Sequence, residues 1–222
     1  MKTFVLNGWA ASTQAWKNCA FTKDRIYSYV QLLDGEFRRD ISQLQEGVVC
    51  VGWSMGGGML LEALLEFPDK IKAAVLVAAT PRMKADDSWK GMSDRRIEAL
   101  RRGLELSLLG QNLFDGADPR WVYETDTEEN LSRGLDYLRM LDLRSRLCEA
   151  SKSGLFDNLP VRILHSAKDA VVNPANADFL SCVFPCSSKI IVEGASHALP
   201  ATVPELVDGQ VSEVLSQVNL NM

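Results

Sequence analysis

Only two of the 222 residues are histidine, His165 and His197, so chemistry that needs an imidazole has a short roll of candidates. The cysteines Cys19, Cys50, Cys148, Cys182 and Cys186 are odd in number and scattered. They show no Cys-x-x-Cys metal spacing, and they read as reduced thiols of a cytoplasmic protein. Positive charge is in deficit, with 24 Lys and Arg against 29 Asp and Glu. A net charge of −5 argues against general nucleic-acid binding. No apolar run approaches the length of a membrane span. The stretch Thr3 to Leu6 is too short for the apolar core of a signal peptide and reads as a strand. Internal repeats and low-complexity tracts are also lacking. What is present is a hydrophobic fraction of 46%, enough for one substantial core.

The chain is organised around Val49-Cys50-Val51-Gly52-Trp53-Ser54-Met55-Gly56-Gly57-Gly58. It reads as a buried strand, a serine, and small residues opening a helix. Gly52, Ser54 and Gly56 make the Gly-x-Ser-x-Gly pattern, in which a sharp strand-to-helix turn lifts the hydroxyl above the sheet edge. Side chains two residues either side of the serine would collide across that turn, so both positions are glycine. The turn also aims the Met55 N–H at a carbonyl that Ser54 attacks, at the positive end of a helix.

A serine hydroxyl needs a base to take its proton. His197 follows the apolar run Lys189 to Val192 and falls in a loop at a strand's C-terminal end. Asp169 lies in the loop after the strand Val161 to His165 and is the acid candidate. His165, at that strand's end, is read as structural or lining. Ser54, Asp169 and His197 therefore all follow strand ends, which is triad logic.

Along the chain, strands are expected over Thr3 to Leu6, Arg25 to Leu32, Gly47 to Gly52, Ile71 to Ala79, Val161 to His165 and Lys189 to Val192. Helices are expected over Ile41 to Gln45, Met55 to Phe67, Asn176 to Val183 and Val203 to Val218. Alternating strands and helices predict a right-handed parallel α/β sheet. The pattern breaks after Pro81. From Arg82 to Ala150 only helical periodicity is found, with candidate helices Asp94 to Leu109, Pro119 to Tyr123 and Thr127 to Met140. Roughly seventy residues far exceed the dozen or so that a strand crossover needs. The expected division is a core of residues 1–81 and 151–222 with an all-helical lid over 82–150, its apolar side Ile97, Leu100, Leu104 and Leu108 facing the cleft or core.

The serine motif, Asn7-Gly8-Trp9 with Trp16 further on, and the acid and histidine loops resemble α/β-hydrolase esterases. The order Ser54, Asp169, His197 is the order of that fold. The ends of the insert, Trp89-Lys90-Gly91-Met92 and Gly134 to Arg144, are similar to the biotin-pathway family of pimeloyl–acyl-carrier-protein methyl ester carboxylesterases. The resemblance covers nearly the whole chain. It implies an α/β-hydrolase fold with an N-terminally shortened sheet of about six strands. It also implies that the loop after the first strand supplies a second oxyanion donor, here the Trp9 N–H, with Asn7 where relatives commonly have histidine.

The activity it implies is ester hydrolysis through an acyl-enzyme, without metal or organic cofactor. Ser54 is the nucleophile, His197 the base, Asp169 its orienting acid. The substrate is a small-molecule or carrier-linked acyl ester, with neither nucleic acid nor membrane as partner. The family binds its acidic carrier protein through basic lid residues, which makes Arg95, Arg96, Arg101 and Arg102 candidate contacts. Interleaved with Asp94, Glu98 and Glu105, the same arginines also read as a solvated helix face laced with ion pairs. Related Ser-His-Asp enzymes stay open as alternatives: a menaquinone-pathway lyase, a carbon–carbon bond hydrolase, a thioesterase, or a non-catalytic ligand-binding relative.

Overall fold

The computed structural model describes residues 1–102 and 127–220. Six strands, β1 (Lys2–Leu6), β2 (Arg25–Tyr27), β3 (Val48–Trp53), β4 (Ile71–Val77), β5 (Val161–Ser166) and β6 (Ser187–Val192), form one sheet in the order β2-β1-β3-β4-β5-β6. Every pairing is parallel. The apolar run of β3 is buried along its whole length, as befits a strand covered on both faces. Its side chains alternate between two cores. Val49, Val51 and Trp53 join Val75, Val77 and Val211 on one face. Val48 and Cys50 join Leu60, Leu64 and Leu76 on the other.

Helices α1 (Tyr29–Leu33), α2 (Glu36–Gln43) and α3 (Met55–Glu66) connect the first strands. After β4 come α4 (Asp94–Arg101), α5 (Glu128–Met140) and α6 (Arg144–Lys152). Then α7 (Ala175–Val183) joins β5 to β6, and α8 (Leu199–Thr202) and α9 (Pro204–Leu220) end the described chain. From β1 the chain passes to β2 on one side, then returns to β3 on the other. Such a reversal opens a crevice at the C-terminal ends of the two diverging strands, where ligands bind in open α/β sheets. Asn7 and Ser54 follow those two ends.

Three local expectations are corrected. The second strand stops at Tyr27 instead of Leu32, because Ser28 starts a helix. The Ser28 hydroxyl accepts from the Gln31 N–H at 3.3 Å and the Gln31 side chain accepts from the Ser28 N–H at 3.0 Å. This reciprocal cap outweighs the strand preference of Tyr29 and Val30. The helix expected from Ile41 begins at Glu36, after Gly35 turns the chain at φ 75°. The insert is not helical at its start: Arg82 bridges Asp142, Lys84 bridges Met92 and Asp86 bridges Trp89. Residues 103–109 of the helix expected from Asp94, and the expected helix Pro119 to Tyr123, lie outside the described residues.

Candidate active site

Ser54 sits between the last residue of β3 and the first of α3 with φ 56° and ψ −117°. A non-glycine residue there is strained, and surrounding contacts must over-determine it. The Ser54 N–H donates to the Val77 carbonyl at 2.9 Å, and its own carbonyl accepts from Gly58 at 3.1 Å. A Cβ on Gly52 would lie 2.8 Å from the Gly57 Cα, the collision across the turn that the motif predicts. At Gly56 the obstacle is different: a Cβ would overlap the Leu6 carbonyl and lie 2.7 Å from that of Asn7. That glycine lets the helix start press against the end of β1.

Loops after β5 and β6 bring Asp169 and His197 to Ser54. His197 Nε2 is 2.8 Å from Ser54 Oγ, and His197 Nδ1 is 2.7 Å from Asp169 Oδ2. With the Nδ1–H donating to the carboxylate, the Nε2 lone pair is left to accept from the hydroxyl. Asp169 Oδ1 accepts from the Val171 and Val172 N–H groups at 2.8 Å each. Burial alone would push the Asp169 carboxyl up, but His197 beside it, the hydrogen bond from that ring, His165 and the Val172 N–H outweigh burial and hold it below the ordinary carboxylate range. Asp169 is therefore a charged carboxylate only 8% exposed, next to an imidazole 2% exposed.

The histidine loop is held by groups that sequence reasoning passed over. Trp53 Nε1 donates to the His197 carbonyl at 3.0 Å. Ser166 Oγ donates to the Ala195 carbonyl. Trp53 falls inside the serine motif, but no pattern along the chain announces a partner at residue 197.

The loop after β1 shapes the other wall. Ala10 has φ 55°, and the Ala11 N–H reaches the Gly8 carbonyl at 3.4 Å. Asn7 is fully buried with its amide used at both ends: Nδ2 donates to the Ala11 carbonyl at 2.7 Å and Oδ1 accepts from Trp16 Nε1 at 2.9 Å. Gly8 brings this loop against the motif, since a Cβ there would lie 3.4 Å from Ser54 Cβ. Among the described residues, neither the Trp9 nor the Met55 backbone N–H has a protein acceptor. The Trp9 indole donates to the Leu131 carbonyl of α5 at 3.0 Å.

His165 does not touch Ser54. It is buried under the acid loop with Nε2 3.0 Å from the Val172 carbonyl. The four candidate arginines, three in α4 and Arg102 just after it, do not form one free patch. Arg101 pairs with Asp136 and lies 3.8 Å from Glu98, as a laced helix face would have it. Arg96 donates to the Ala170 carbonyl at 3.2 Å, and Arg95 and Arg102 are exposed. No group of His, Cys, Asp and Glu suited to a metal is found among the described residues. Nor is any described helix long and apolar enough to cross a membrane.

A model described as the alpha/beta hydrolase family matches residues 16–209. The chain is similar to the pimeloyl-[acyl-carrier protein] methyl ester esterase of Yersinia enterocolitica, 25% identical over 97% of this chain and 93% of that one. The protein so named in Serratia marcescens is 26% identical over 87% of this chain and 86% of its own. Among solved structures, an esterase from Exiguobacterium antarcticum superposes with a TM-score of 0.75 at 19% identity, covering 99% of this chain and 92% of that one. A bromoperoxidase from Bacillus anthracis gives a TM-score of 0.72 at 20% identity, covering 97% and 92%. At such identities the structural likenesses speak for the fold alone.

Proposed function

Since the chain belongs to the alpha/beta hydrolase family, we propose that it is a serine carboxylesterase working through an acyl-enzyme, with Ser54, His197 and Asp169 as its triad. The observation that carries the reading is the unbroken hydrogen-bonded chain, 2.8 Å from Ser54 to His197 and 2.7 Å from His197 to Asp169. Ser54 attacks the ester carbonyl as His197 takes its proton, and Asp169 stabilises the imidazolium. The Trp9 and Met55 N–H groups receive the oxyanion; one such donor is worth about 10²–10³ in rate. His197 then protonates the departing alkoxide. Water, deprotonated by the same ring, attacks the acyl-enzyme, releases the carboxylate and returns the proton to Ser54. This cycle calls on no metal or organic cofactor.

The substrate we assign is the methyl ester of pimeloyl–acyl carrier protein in biotin synthesis, in the cytoplasm. Two things support it: the names of the relatives aligned over most of the chain, and the family-like segments at both ends of the insert. Hydrolysis of that ester yields methanol and a free carboxylate on the carrier-bound chain. Residues 82–150 serve as the lid over residues 1–81 and 151–222, and its exposed arginines meet the acidic carrier.

The test is Ser54→Ala. Turnover of p-nitrophenyl esters should fall by about 10⁴-fold or more and fluorophosphonate labelling should vanish, with an unchanged circular dichroism spectrum. Labelling that persists in the variant refutes the assignment of the nucleophile. Restoration of biotin-independent growth to a bacterium lacking its pimeloyl methyl ester esterase tests the substrate.

A further inference from the structure

One buried ionisable side chain beside the triad has no part in the cycle above. His165 is the fifth residue of β5, and it lies against the inner side of the loop that carries Asp169. Its Nε2 is 3.0 Å from the Val172 carbonyl and 3.4 Å from Asp169 Oδ2. A bare Nε2 would set its lone pair against two oxygens, one of them charged. The proton therefore sits on Nε2. Nδ1 is left as a buried lone pair with no partner among the described residues. A second proton on Nδ1 would find no acceptor. Burial pushes the His165 imidazole down, and Asp169 and the Val172 carbonyl only partly offset this, so the ring is neutral.

A buried unpartnered nitrogen is a cost that an apolar side chain of similar volume would avoid. Filling space therefore does not account for a histidine here; its Nε2–H does. Asp169 Oδ1 already binds the Val172 N–H at 2.8 Å, and His165 binds the carbonyl of that same residue. We propose that His165 is a positioning residue for the Asp169 carboxylate, holding the acid loop by its Nε2–H and facing the oxygen that His197 uses. This rests on the triad reading above and adds a fourth member to it. The same N–H dipole, 3.4 Å from Oδ2, also tempers the basicity of the carboxylate. The titratable groups that face His165 are Asp169 and His197; its neighbour across β6 is Ile191.

The experiment compares His165→Gln, whose amide nitrogen reaches about as far as ring Nε2, with His165→Leu, which keeps bulk and loses the donor. Both are assayed on a p-nitrophenyl ester across pH, with thermal melting and fluorophosphonate labelling alongside wild type. H165Q should keep kcat within about threefold and leave the acid limb of kcat/KM in place. H165L should lose about tenfold in kcat with little change in KM. Its acid limb should move to higher pH, because Asp169 loses the N–H dipole that faces Oδ2 and becomes more basic. Should H165L fail to fold, His165→Asn replaces it, since its shorter amide matches ring Nδ1 and cannot reach Val172; it should behave as H165L is expected to. Equal activity and equal acid limbs in all variants overturn the proposal, as does an equal loss in H165Q and in H165L or H165N with the limb unmoved, which is plain packing. If wild type itself escapes fluorophosphonate labelling, the triad reading fails first; if it labels and the variants do not differ, only the role of His165 falls.

Discussion

At the scale of the residue, the site depends on side chains whose partners are fixed by folding. In the sequence, Asn7 stands out only by its place in the loop after β1. In the structure both ends of its amide are spent inside the loop that bears the Trp9 N–H. Asn7→Leu keeps the fork at Cγ but strands the Ala11 carbonyl and the Trp16 indole N–H. Each buried polar group left unpaired costs about 1–3 kcal/mol, so the variant should unfold at lower urea. It should also lose kcat rather than raise KM, because a displaced Trp9 N–H is missed mainly in the transition state. Retained kcat in a destabilised variant would mean that Asn7 supports the fold alone. Ser54, His197 and Asp169 were legible as candidates because each follows an apolar run that ends at the same edge. Asn7, Trp53 and Ser166 were not, because no spacing tells which carbonyl an amide, indole or hydroxyl will meet.

At the scale of the element, local signals compete and one wins for a stated reason. Tyr29 and Val30 have strand propensity, yet the Ser28–Gln31 cap turns them into α1. Helix propensity is likewise overruled at Gly134, in the middle of α5. Glycine to alanine in an exposed helix interior stabilises by about 1 kcal/mol. Here a Cβ would run into the Trp9 ring, 2.7 Å from its Nε1. Gly134→Ala should therefore lower stability instead of raising it. Because the displaced ring belongs to the loop bearing a proposed oxyanion donor, kcat should fall as well. A melting temperature above wild type with full activity would show that Trp9 can step aside freely. The periodicity of α5 was readable in advance; its reliance on a glycine to admit an indole from residue 9 was not, since the pair meets across most of the chain.

At the scale of the whole molecule, the parallel sheet reverses its strand order between β2 and β3, α5 meets the loop after β1 through Leu131, and α4 meets the acid loop through Arg96. Arg101 is tied to Asp136 and Arg96 to the Ala170 carbonyl, the residue after Asp169. Of the four candidate arginines, the exposed pair Arg95 and Arg102 is the one proposed to steer an acidic carrier without disturbing the acid loop. Reversing both to Glu should slow hydrolysis of the carrier-linked ester by about tenfold at low salt and leave a p-nitrophenyl ester untouched. The difference should shrink as ionic strength rises, because exposed charges are screened beyond about 10 Å at 0.1 M salt. An equal effect on both substrates would show that these arginines act on the fold or the site and not on the carrier.

The sequence by itself determined the parallel α/β class, the elbow at Ser54 and the order of the triad candidates. These rest on short-range physics: apolar runs that demand burial, and glycines that a tight turn demands. Tertiary structure alone decided that His197 meets Ser54 across 143 positions at 2.8 Å, that Asn7 braces a loop, and that His165 lies under the acid. Such meetings depend on the register of strands and the course of loops, which align groups to a fraction of an ångström and leave no periodic trace in the order of residues.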